Sequence, residues 1–138
     1  MKLIDTLFEN RHLQPGEQLR YVLSELPERI KSMGLNIWNS GDRIQSSGKR
    51  ILLGIAHYSR EDLELLDLLR ELPLEEVQLD IFIVSACKSQ SEIEIYIPGI
   101  QKVVNTPVVG IWQDGILVDK AIAGKAIQIL TKEINKQK

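Results

Sequence analysis

The sequence is short of sulfur. Cys87 is the only cysteine among 138 residues, so no disulfide can close within the chain. One cysteine and two histidines are too few for a dedicated zinc site, and no metal or other cofactor is expected. The lone thiol fits a reducing compartment, and a cytoplasmic location is expected. Aromatic residues make up 5% of the chain, so its apolar content is carried by leucine, isoleucine and valine. No apolar run approaches the roughly 18 residues that span a bilayer, and charges interrupt the first ten residues where a signal-peptide core would lie. The formal net charge is −2 with lysine and arginine dispersed, which argues against nucleic acid as the main partner because phosphate binding needs a concentrated basic face.

What is present is an ordinary globular composition, 43% apolar and 26% charged, at the length of one domain. Leu3, Ile4, Leu7 and Phe8 share a helical face and predict a short opening helix. Leu19, Val22, Leu23, Leu26, Ile30 and Met33 follow the 3.6-residue period, with Pro27 expected to kink or restart that helix. Leu35 to Trp38 reads as a short edge strand, and residues 39–50 read as a polar loop. Ile51–Ala56 and Leu79–Val84 are apolar runs of the kind found in strands buried on both faces. Between them Leu65, Leu66, Leu68, Leu69 and Leu72 form a helical stripe that Pro73 ends. Ser91 to Ile100 is open: Glu92 to Ile95 alternates like a strand, and Pro98-Gly99 marks an end. Val108 to Val118 carries Asp114-Gly115 between apolar runs, a hairpin signature, and a last helix follows Gly124. Strand, helix, strand, hairpin, helix predicts an α/β mixed sheet flanked by helices, in which Ile51–Ala56 and Leu79–Val84 are adjacent and parallel.

Two local motifs make the chain from about Ile51 to Gln137 resemble the thioredoxin family. In Asn105-Thr106-Pro107-Val108-Val109-Gly110-Ile111-Trp112-Gln113-Asp114-Gly115, a proline opens an apolar strand that runs through an aromatic to a polar-glycine turn. By resemblance Pro107 is the cis-proline beside the active-site loop. In Ile55-Ala56-His57-Tyr58-Ser59-Arg60-Glu61-Asp62, Tyr58 takes the aromatic position, Ser59 the first cysteine and Asp62 the second. Both sulfurs and the Gly-Pro between them are gone, so the resemblance implies the scaffold without the dithiol exchange, for which a hydroxyl is no substitute. On this reading residues 1–138 form a single thioredoxin-like domain. Residues 1–50 are an N-terminal helical extension and loop, and 51–138 are the core.

Each candidate site has a simpler reading beside it. Ser59 and Asp62 match a helix-capping box, in which Ser59 accepts from the backbone N–H near Asp62. Cys87 is either a reactive thiol, helped by adjacent Lys88, or a small apolar residue that happens to be sulfur. His57, Ser59 and Asp62 lie close enough in sequence for a hydrolase constellation, but nothing resembles a nucleophile elbow. Ser46-Ser47-Gly48-Lys49-Arg50 lacks the phosphate-loop spacing and reads as an exposed turn. Trp112 is expected in the core, and Trp38 as an anchor for the N-terminal segment or for a partner.

The expected function is a non-catalytic binding, adaptor or chaperone-like module that recognises a protein or peptide through a groove of His57, Tyr58, Ser59, Arg60, Asn105, Thr106 and Pro107. The alternative is a single-cysteine redox protein acting through Cys87. A third possibility is a structural subunit that docks through the helices before Met33, and homo-oligomers are compatible with each reading.

Overall fold

β2 (Lys49–Ile55) is the centre of a five-stranded mixed sheet in the computed structural model, which describes residues 2–6, 13–39, 47–71 and 77–136. The strand order is β1-β3-β2-β4-β5, with β1 (Asn36–Ile37), β3 (Val77–Ile83), β4 (Val108–Gln113) and β5 (Ile116–Ile122). β1, β3 and β2 run parallel, as the two apolar runs predict for β2 and β3. β4 is antiparallel to β2, and β5 is antiparallel to β4. Ile51, Leu53 and Ile55 face one core and Leu52 faces a second, so an unbroken apolar run suits β2 better than an alternating one. Gly54 interrupts that run because a Cβ there would stand 2.5 Å from the Phe82 ring and the Val108 side chain. Asp114 and Gly115 join β4 to β5 with φ of 51° and 83°, the two positive values of a tight hairpin turn.

The larger core lies between the sheet and helices α1 (residues 15–32), α2 (Arg60–Leu69) and α4 (Ala123–Lys136). α1 comprises Pro15–Arg20, a π-helical stretch Tyr21–Glu25 and Leu26–Ser32. Pro27 stands in the first turn of the last of these stretches, the restart that the sequence allows, and the helical backbone continues through it. It has no N–H, and in a regular helix its ring meets the carbonyl four residues back. The wider turn just before it, in which the Leu26 N–H reaches the Tyr21 carbonyl, absorbs that misfit. Tyr21, Val22, Leu26 and Ile30 of α1 are buried in the same core as the central strands. The residues before position 50, set apart as an extension by sequence, thus supply part of that core and the edge strand β1.

Leu3 sits in a 3-10 turn, Leu3–Thr6, where the sequence predicts a helix. Its side chain is fully buried, and its N–H donates to Asp67 Oδ1 of α2 at 2.7 Å. Leu7, Phe8, residues 40–46 of the expected loop, Leu72 and Pro73 lie outside the described residues. On α2 the buried stripe is Leu63, Leu66 and Leu69, while Leu68 faces outward.

The smaller core is covered by α3 (Gln90–Tyr96) and the segment after it. This resolves the ambiguous stretch as a helix, with the Ser89 hydroxyl accepting from the Glu92 N–H at its start. At the other end of the same face Arg50 is 2% exposed, which corrects its place in an exposed turn. Its guanidinium lies 3.9 Å from the Trp38 ring centre and 4.9 Å from that of Trp112. Its Nε donates to Asp80 Oδ2 at 3.0 Å, and the fully buried Asp80 also accepts from the side chains of Asn36 and Gln78. Four strands meet at this one charged cluster, and Trp38 and Trp112 are both buried by it.

Candidate functional site

A groove of about 470 Å³ opens where β2 hands over to α2. One side is Tyr58, Ser59 and Glu61; the other is residues 103–106. Val84 and the start of α4 close it. Of the sequence-derived groove residues, Tyr58, Ser59, Asn105 and Thr106 line this space, whereas His57, Arg60 and Pro107 do not. Pro107 is buried behind the loop at the head of β4, after a cis peptide bond, and its carbonyl accepts from the Ala123 N–H at 2.7 Å. Arg60 points along α2 to Glu64, with Nε 2.9 Å from Oε1. Tyr58 is 62% exposed and Val104, on the facing loop, is 71% exposed. Sequence reasoning missed Val103 and Val104, although an apolar pair beside Asn105 in a loop was the signal available.

His57 corrects an expectation: it is buried, 8% exposed, and is not a surface contact residue. Its N–H donates to Ser85 Oγ at 3.0 Å, and its Nδ1 lies 2.8 Å from the same oxygen. Burial holds its pKa below the ordinary value. His57 thus turns its Nδ1 to Ser85, while the Ser59 hydroxyl and the Asp62 carboxylate bond to backbone at the start of α2.

Ser59 caps α2, its hydroxyl accepting from the Asp62 N–H at 3.3 Å. The reciprocal half of the capping box is replaced. Asp62 Oδ2 accepts from the Ala56 N–H at 2.8 Å, while the Ser59 N–H is taken by the Ala56 carbonyl. Asp62 is fully buried, and burial raises its pKa. The Thr106 side chain, the Ala56 N–H and the Ser59 hydroxyl oppose that shift by favouring the charged form, and the nearby Glu61 charge adds to it.

Ser59→Ala removes the cap and is expected to lower stability by about 0.5–2 kcal/mol, read from the denaturant midpoint. Asp62 binds its proton more tightly folded than unfolded. Its contribution to stability is therefore full below the ordinary value of 3.8 and is lost as pH rises through the raised value. Asp62→Asn keeps an acceptor for the Ala56 N–H and removes the titration. The difference in stability between wild type and Asp62→Asn should therefore shift toward wild type on acidification across that window, and a pH-independent difference would contradict the assignment.

Cys87 follows the 3-10 turn Val84–Ala86 that ends β3, is half-buried, and sits outside the groove. Its thiol donates weakly to the Ile83 carbonyl at 3.8 Å. Burial, and then the charge of Glu92, push its pKa up to about 11. At neutral pH about one thiol in ten thousand is then the nucleophilic thiolate. The charge that bears on it is the Glu92 carboxylate, which disfavours the thiolate. Among the described residues no group of three His, Cys, Asp or Glu side chains is placed to hold a metal, and no helix is long and apolar enough to cross a membrane. On the outer side of α1, Leu19 and Leu23 are exposed.

No family model matches the chain, and no curated protein matches it.

Proposed function

We propose that the chain is a thioredoxin-like domain without dithiol chemistry, and that its groove binds an extended segment of a protein partner. The observation that carries this reading is the groove itself, with the exposed Tyr58 and Val104 both in its lining. Paired exposed apolar side chains around a concave surface mark a contact site. The fold half of the reading is supported by the strand order β1-β3-β2-β4-β5, with β4 and β5 antiparallel to their neighbours, and by an α-helix that starts directly after β2. The absence of redox function is supported by the oxygen chemistry of Ser59 and Asp62, which are occupied in ordering the first turn of α2. The raised Cys87 pKa counts against the single-thiol alternative.

Titrating the isotope-labelled protein with a reduced, alkylated and therefore unfolded polypeptide tests the binding reading. Amide shifts should concentrate at residues 58–61 and 103–106; shifts confined to other surfaces would refute it. In parallel, the protein is expected to reduce neither insulin nor an aromatic disulfide above background with a dithiol donor. Turnover that disappears in Cys87→Ser would instead support the thiol alternative.

A further inference from the structure

We propose that the groove selects a partner segment in which an aliphatic side chain lies beside a lysine or arginine. The inference rests on the peptide-binding reading above and adds the chemistry of the partner.

The apolar half of the preference comes from the walls. Val84, Val103 and Ile127 line the interior, and Tyr58 and Val104 form the lips. The volume of about 470 Å³ lies within the range of roughly 300–1,000 Å³ typical of pockets that hold small molecules or a few side chains.

The charged half comes from what balances Glu61. Among the lining residues Ser59, Asn105 and Thr106 are neutral, and Glu61 is the one charged side chain. Glu61 is exposed and makes no ion pair among the described residues. The nearest cation in sequence, Arg60, is already held by Glu64 at 2.9 Å. The start of α4 on the opposite wall has its Ala123 N–H committed to the Pro107 carbonyl. Behind Glu61 the buried Asp62 feels its negative charge. A cation entering beside Glu61 therefore gains an attraction, whereas an incoming carboxylate meets a repulsion.

The test is selection from a phage library of random octapeptides at low salt, carried out on wild type, Tyr58→Ala and Glu61→Gln. The wild-type pool should depend on Tyr58. Next to Val, Ile or Leu it should favour Lys and Arg over Asp and Glu by about two- to fivefold, the scale of one rim ion pair. That preference should disappear in Glu61→Gln and weaken as salt is raised. A Tyr58-dependent pool with no basic preference, or one that survives in Glu61→Gln, overturns this inference and leaves the peptide-binding reading standing. A selection that yields no Tyr58-dependent pool overturns that reading and the inference with it.

Discussion

Arg50→Ala is expected to destabilise the protein by about 3–5 kcal/mol, more than any single truncation on the groove. The reason is the partner it leaves behind. Asp80 is fully buried, and without the guanidinium it holds a negative charge in the sheet with only the neutral Asn36 and Gln78 side chains to solvate it. Packing is lost as well, since the guanidinium lies against both tryptophan rings. Asp80→Ala should fall in the same range from the other side, by removing the buried carboxylate that accepts from the Arg50 Nε. A double variant, Arg50→Met with Asp80→Leu, removes both charges and keeps apolar volume, and should recover most of the loss. Chemical denaturation of the four proteins reads this as a cycle. Equal, additive losses in the two single variants, with no recovery in the double, would show that the pair is not coupled. Asp80 is also bonded to Asn36 of β1, so the same substitutions should loosen the edge strand. Faster amide exchange at the Trp38 N–H, which donates to the Ile81 carbonyl at 2.8 Å, would report it.

That cluster also shows where reading the sequence stops. β2, β3, the β4–β5 hairpin and the last helix were legible because each is announced within a few residues, by an apolar run, an Asp-Gly turn or a helical period. The edge strand was legible for the same reason. α3 was not, because Ile93 and Ile95 alternate while Ile93 and Ile97 repeat at four, and both patterns fit so short a stretch. Ser89 three residues before Glu92 was the cap signal that decides it. Arg50 beside Lys49 looks like the edge of a loop until Asp80, thirty residues later, and Trp38 are brought onto the same face of the sheet. His57 was misplaced for an equivalent reason: Ser85, which draws it inward, is 28 residues away. The candidate groove was half legible. Tyr58, Ser59, Asn105 and Thr106 came from the motif pattern, while Val84, Val103 and Ile127 come together only through the β3–β2–β4 arrangement.

The second large effect belongs to the groove. Tyr58 and Val104 are mostly in solvent, so neither contributes much to the core, and Tyr58→Ala or Val104→Lys should leave stability within about 0.5 kcal/mol. At an interface the same residues weigh far more. A buried tyrosine anchor contributes about 2 kcal/mol or more on truncation, which is roughly a thirtyfold loss of affinity. A lysine in place of Val104 is expected to be as damaging, since it sets a charge against the partner's aliphatic side chain and repels the cation beside it. His57→Ala is a poor probe of the same surface, because its ring is buried against Ser85 and its loss mixes stability with recognition.

The most direct test of the central claim is quantitative capture of a native partner by wild type, Tyr58→Ala and Val104→Lys, with denaturant midpoints measured on the same preparations. A groove that holds the partner predicts that each variant loses at least tenfold in capture while its midpoint stays at the wild-type value. Capture by both variants at the wild-type level, with folding intact, would show that the partner binds elsewhere and would contradict the account.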